Sequence, residues 1–303
     1  PPRSTLFPYT TLFRSRVRPA MLRGIVDPSN PHPHADLPTV RTIPLDRPLH
    51  WLVLGWRDLA RGRGLSVLHG LILALGGALI TAIAHDRFWL LAGAFSGFLV
   101  VAPVLATSLY AMSRAMEREE KVDWRLLVRT WTSWQRARFD ESGGYWCLVR
   151  FGVLLALAGT GWVLTSAALI TLLAPQPVLT PMDFVRHVML ARQSFLFELW
   201  LMLGGIMAAP LFASSVVAMP LLLDRRVNVM QAVLTSWQAV LSNPLPMALW
   251  AALIMGFTLL GLASLMLGLV LVVPMLGHAS WHAYRDLVDA DSLAPRLSDD
   301  EVR

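Results

Sequence analysis

From Val227 to Tyr284 the chain carries no Asp, Glu, Lys or Arg. A stretch that long without ionic side chains is stable only where it is wrapped in lipid as helix. An irregular chain there would leave backbone groups unpaired at a cost of several kcal/mol each. The first part, Val227–Ser242, sets Met230, Val233, Trp237 and Val240 at helical spacing, with Asn228, Gln231, Gln238 and Ser242 elsewhere. That pattern predicts an amphipathic helix at the membrane surface, ended by Asn243 and Pro244. The 41 residues from Pro244 to Tyr284 would make one helix of about 60 Å, roughly twice what a bilayer needs. Two spans are therefore expected, with the turn near Gly261–Ser264.

Other apolar runs reach span length. Leu65–Ala84 and Phe88–Tyr110 are uncharged and separated by His85, Asp86 and Arg87, which predicts a tight hairpin; Phe151–Leu173 and Leu199–Leu223 follow. With 55% hydrophobic and 15% charged residues, the composition excludes an ordinary soluble domain of this length. The expected fold class is all-α, a polytopic transmembrane helical bundle. It has about six spans in three hairpins, near 65–84, 88–110, 151–173, 199–223, 245–261 and 264–284, with short amphipathic interfacial helices.

Thr5–Ser15, TLFPYTTLFRS, resembles a conceptual translation of a sequencing adapter, so residues 1–15 are set aside and Met21 is the first plausible start. Residues 16–48, rich in Pro, His and Asp, read as a disordered tail. A membrane domain is expected over 49–288 and a C-terminal tail over 289–303.

The net charge of +6 does not gather into a basic domain, which argues against nucleic acid; the cations flank the apolar runs instead. On this topology 22 basic residues face one side, against Arg87, Arg186 and Arg192 on the other. The positive-inside rule then puts both termini in the cytoplasm. The polar segment Ala111–Gly144 is the largest soluble loop and the expected surface for a protein partner. Its charges at Arg114, Glu117, Arg118, Glu119, Glu120, Lys121 and Asp123 read as a solvated helix extension.

A weak threefold unit recurs: a small residue, Trp and a polar residue, then an apolar hairpin with a proline in its second helix. The starts are Gly55-Trp56-Arg57, Ser133-Trp134-Gln135 and Ser236-Trp237-Gln238, and the prolines are Pro103, Pro220 and Pro274. The segments Pro38–Gly70, Val101–Glu117 and Pro274–Val288 together resemble the domain of unknown function 2189 family of predicted bacterial integral membrane proteins. The resemblance implies a multi-span membrane protein without assigned activity, and supplies no functional residues.

His278 and His282 stand four apart and so share a helical face, an arrangement also used for metal or haem ligands; His69 lies at similar depth. These three are the only candidates for cofactor binding, and the bland alternative is interfacial histidines beside Trp281 and Tyr284. Neither a cofactor nor a bound metal is expected. Glu198 and Asp224, at the ends of the fourth span, read as anchors. Gly93 and Gly97 form a small-residue packing pair, and the single Cys147 excludes an internal disulfide or a cysteine-based metal site. No catalytic motif stands out, and no catalytic residue is assigned. The leading expectation is a non-enzymatic membrane protein with a structural, assembly or envelope role. The alternatives are a small-solute or lipid transporter, with a cavity at Thr107, Ser108, Ser214 and Ser215, and a haem or metal redox protein.

Overall fold

The computed structural model of the chain describes residues 37–84, 105–136, 146–191 and 195–296. Among these the helices are α1 (Arg47–Ala84), α2 (105–117), α3 (Trp124–Arg136), α4 (Trp146–Leu173), α5 (Pro181–Phe184), α6 (Leu196–Ser215), α7 (Ala218–Asp224), α8 (Val229–Ser242), α9 (Pro244–Ala263) and α10 (Leu269–Leu287). A short π-helical turn, Val185–Met189, follows α5. The described fold is all-helical apart from one two-residue ladder, in which β1 (Thr39–Val40) pairs antiparallel with β2 (Val288–Asp289), Thr39 opposite Asp289. That ladder joins a strand before the 49–288 range expected for the membrane domain to one at its C-terminal edge.

Four helical stretches are long and apolar enough to cross a membrane: Arg47–Ile83, Cys147–Leu173, Leu196–Asp224 and Pro244–Ala263. They present Leu79, Ile83, Leu157, Leu172, Leu201 and Leu259 outward, a surface that water would not tolerate over such an area but lipid matches. The expected span near 88–110 lies mostly outside the described residues, as do Pro103 and the Gly93–Gly97 pair. The expected sixth span corresponds to α10, which begins at Leu269 rather than 264. It falls short of the apolarity of the other four because its second half carries His278, His282, Arg285 and Asp286.

The first span is the second half of a longer element. α1 runs through the surface segment and the span together, with a break at Arg63 (φ 42°, ψ −123°). That backbone conformation belongs to glycine, and Gly62 and Gly64 flank it. On α1 the residues Trp51, Gly55, Leu59, Gly62, Ser66, His69 and Leu73 are all buried, the three-and-four spacing of one helix face. This face lies against α10 so closely that a Cβ on Gly55 would stand 2.5 Å from the Met275 carbonyl oxygen, and one on Gly70 would collide with the Val270 carbonyl.

α6 and α7 divide the fourth span. Pro220 lacks the N–H that would bond to the residue 216 carbonyl, and at the same break the Val217 N–H donates to Ser236 Oγ of α8 at 3.1 Å. α8 starts with a capping box: Asn228 Oδ1 accepts from Gln231 N at 2.8 Å, and Gln231 Oε1 accepts from Asn228 N at 3.1 Å. Asn243 closes α8, and its buried amide also serves as a strand partner for the N-terminal segment. Its Oδ1 accepts from Ile43 N at 2.8 Å and its Nδ2 donates to the Arg41 carbonyl at 3.0 Å. The turn expected near Gly261–Ser264 falls at residues 264–268, where Leu265 and Met266 have φ of 55° and 67°. Ser264 Oγ accepts from Gly268 N at 2.7 Å and donates to the Gly261 carbonyl at 2.8 Å.

Candidate functional site

The inner faces of α1, α2 and α10 are apolar at one end and polar at the other. Asp58 and Ser66 come from either side of the Arg63 break, Ser113 from α2, and His278 and His282 from successive turns of α10. Asp58, Ser66, Ser113 and His278 are all buried. Ser113 Oγ donates to Asp58 Oδ2 at 2.8 Å and lies 2.7 Å from His278 Nδ1. Its single hydroxyl hydrogen is committed to the carboxylate, so Nδ1–H of His278 donates to Ser113. His278 Nε2 then accepts from Ser66 Oγ, 2.9 Å away. His282 Nε2 lies 2.9 Å from the same Asp58 Oδ2; an ionised carboxylate only accepts, so this nitrogen carries the hydrogen.

The result is a row of hydrogen bonds, Ser66 to His278 to Ser113 to Asp58, met at its acidic end by His282. His69 stands next to this row rather than in it. Its Nδ1–H donates to the Leu65 carbonyl at 2.7 Å, and its Nε2 is 2.6 Å from Ser108 Oγ. The spacing argument was right that His278 and His282 share a face. Both ring nitrogens of His278 and of His69 are taken up by hydrogen bonds, so ligation of a metal or haem iron there would require breaking one. Among the described residues no group of three or more His, Cys, Asp and Glu is arranged to hold a metal ion.

Beyond His282 the polar end of the bundle is held by arginine. Arg47 forms a two-pronged pair with Asp286 at 2.8 and 2.9 Å, and Trp51 Nε1 donates to the same carboxylate at 2.7 Å. Glu117 accepts from Trp281 Nε1 at 2.8 Å and from Arg285 Nε at 3.0 Å. Arg114 donates to the Leu223 carbonyl at 3.0 Å and Arg118 lies 3.4 Å from Asp224 Oδ1. The segment read as a solvated extension is exposed from Glu117 onward, although Glu117 and Arg118 also pair with the bundle. Its first charges are built into the bundle, because α2 packs there against α7 and α10.

Asp224 is an anchor, as its place at the span end suggested. It is buried, accepting from the Tyr284 hydroxyl at 2.8 Å and from Arg225 Nε at 3.0 Å. Glu198 is exposed. The hydroxyls proposed as a transport cavity do not converge: Ser214 accepts from Trp237 Nε1 at 2.9 Å, Ser215 donates back to the Leu211 carbonyl at 2.8 Å, and Ser108 belongs to His69. A pocket of about 330 Å³ lies elsewhere, where α4 ends, lined by Ile170, Thr171, Ala174 and residues 175–179.

The outward leucines, the four long apolar helices and the interior pairing of charge describe a protein built for lipid. Residues 90–224 match the profile of the domain of unknown function 2189 family, a predicted integral membrane protein. The matched range takes in Val101–Glu117 of the resemblance, while Pro38–Gly70 and Pro274–Val288 lie outside it. Within it fall α2, which supplies Ser113, and α7, which supplies Asp224; α1 and α10 lie beyond. No curated protein and no solved structure matches the chain.

The uncharged run that begins at Leu65 leaves Asp58 outside the expected first span, and Ser66 and Ser113 carry no charge that would mark them. The signal was present: Trp51, Gly55, Asp58, Gly62, Ser66 and His69 continue one helical stripe through both halves of α1. An acid on a stripe of glycine and aromatic residues is an acid facing another helix.

Proposed function

We propose that the chain is a protein of the bacterial cytoplasmic membrane with six spans in three hairpins and both termini in the cytoplasm. Its role on this reading is structural, in assembly or in the envelope, and not enzymatic. The membrane domain covers about 49–288, with the polar segment around α3 as the surface for a protein partner. The observation that carries the reading is the self-sufficiency of the bundle interior. Asp58, Asp224, Glu117 and Asp286 each find their partners within the fold, which suits a scaffold better than a binding cavity. In vivo crosslinking from residues 111–136 tests it: capture of one reproducible membrane partner supports the role, and solute uptake by the pure protein in proteoliposomes overturns it.

A second reading, transport of a small solute or lipid, draws on the two helix breaks at Arg63 and at Val216–Val217. Broken helices are the hinges that transporters use. The same uptake assay decides between the two.

A further inference from the structure

α1 is 38 residues long, about 57 Å at the standard rise, whereas a hydrocarbon layer of roughly 30 Å needs about 20 residues. The excess lies before the break at Arg63. Gly55 packs on Met275 and Ala279, and Ser66 bonds to His278 in the same stretch of α10. The helix from residue 55 to residue 66 would advance by about 16 Å, yet its contact on α10 has not moved. The first half of α1 therefore crosses α10 instead of running along it. Trp51 and Asp58, on either side of that crossing, reach Asp286 and His282 at the polar end of the bundle.

Three stripes run along this crossing segment. Trp51, Gly55, Asp58 and Gly62 are buried against the bundle. On the outer side Leu49, Val53 and Trp56, each about half exposed, and exposed Ala60 repeat the same three-and-four spacing. Arg57 and Arg61, exposed and four apart, form a third stripe beside that one. The segment's one acid, Asp58, faces inward, and Arg47 is taken by Asp286. Its outer surface is thus apolar along one line and cationic along the next. Beyond the break, exposed apolar residues resume at Leu71, Leu75 and Leu79 of the lipid-facing span.

An outward apolar line continuous with a lipid-facing helix is matched by acyl chains at the headgroup boundary. Trp56 suits that level, where amphipathic rings collect. A guanidinium one stripe away can reach phosphate oxygens with paired hydrogen bonds. Phosphatidylglycerol keeps a net negative charge, whereas phosphatidylcholine carries its own ammonium; each arginine near an anionic surface is worth roughly fivefold in preference. We propose that residues 47–62 of α1 lie along the membrane surface and bind acidic phospholipid headgroups through Arg57 and Arg61. The inference holds whether the bundle is a scaffold or a transporter.

The test places a fluorophore at Ala60→Cys in a Cys147→Ser background, Cys147 being the one native thiol, with the full chain in phosphatidylcholine nanodiscs. Quenching by a minor fraction of acyl-chain-labelled phosphatidylglycerol is compared with quenching by equally labelled phosphatidylcholine at the same mole fraction. A local preference for phosphatidylglycerol of about fivefold or more is expected. It should fall toward one in Arg57→Gln/Arg61→Gln and shrink at high salt. Arg186→Gln, exposed in the π-helical turn, should leave it unchanged. The comparison of the two lipids on the native arginines stands even if the double variant does not fold. Quenching by neither lipid, as a segment facing water or a protein would give, overturns the proposal. Equal quenching by both, or a preference that survives in the folded double variant, overturns it too. Loss of the preference on adding inorganic phosphate at constant ionic strength would assign the site to a free anion and equally overturn it.

Discussion

Removing the Asp224 carboxylate should be the most damaging single change at the polar end of the bundle. The side chain is buried and serves three partners: the Tyr284 hydroxyl at 2.8 Å, Arg225 Nε at 3.0 Å and Arg118 Nη2 at 3.4 Å. Asp224→Ala leaves Tyr284, itself fully buried, without its acceptor, and leaves the Arg225 side chain, 11% exposed, with the 74% exposed Asp291 as its remaining acidic partner among the described residues. Breaking a buried pair in this way costs about 3–5 kcal/mol. Arg118 adds little, since its side chain is 35% exposed and solvent-screened pairs contribute about 0–1 kcal/mol. Tyr284→Phe removes a donor but leaves the carboxylate with both arginines, and should cost about 1 kcal/mol. The double variant should cost no more than Asp224→Ala alone, because the stranded hydroxyl is gone with its acceptor. Reversible unfolding in mixed micelles, followed by helical circular dichroism, measures all three. A loss below about 1 kcal/mol for Asp224→Ala, or strict additivity in the double variant, would refute the reasoning.

Other consequences are sharp enough to measure in the same assay. Trp51 and Trp250 are both buried and meet edge to face at 5.5 Å, but Trp51 Nε1 donates to Asp286 while Trp250 Nε1 finds no acceptor among the described residues. Trp51→Phe should therefore cost about 1–2 kcal/mol more than Trp250→Phe, and equal losses would count against the Asp286 bond. Gly55→Val drives a side chain into the Met275 carbonyl and the Ala279 backbone; an overpacking loss of about 1–3 kcal/mol is expected, and a neutral result would mean that α1 and α10 are not in contact there. Arg63→Gly relaxes a left-handed backbone at an exposed position and should stabilise by about 1 kcal/mol; destabilisation would show that the break is not strained. Asp183 caps α5, accepting from Thr180 N at 2.9 Å and Leu179 N at 3.2 Å. These bonds, with Thr180 first, hold its pKa below the ordinary aspartate value. A depressed carboxylate contributes above its unfolded pKa and loses that contribution as pH falls through the folded one. The protection factors of the Leu179 and Thr180 amides, measured against the intrinsic exchange rate at each pH, should therefore fall in acid, and Asp183→Asn should abolish that acid dependence.

Within the described residues, the helices and their ends were legible in local chemistry. Asn228 with Gln231 marks the start of α8, Asn243 with Pro244 its end, and the Pro244–Tyr284 run divides into two helices as its length requires. Where the reading fell short, a distant segment had intervened. α1 extends to Arg47 because its first half packs on α10, the sixth expected span begins late because Ser264 and Gly268 tie the turn, and Arg114 of α2 turns inward because α7 offers it the Leu223 carbonyl.

That long uncharged runs must be helical in lipid follows from the sequence alone, because a backbone without water has to bond to itself within a few residues. The same local rule placed His278 and His282 on one face of α10. Which groups that face would meet was decided only by the tertiary structure. Asp58, Ser66 and Ser113 lie 224, 212 and 165 residues away from their histidine partners. They come within bonding distance because glycines at 55 and 70 let two helices touch, an outcome of helix rotation and crossing that no local pattern encodes.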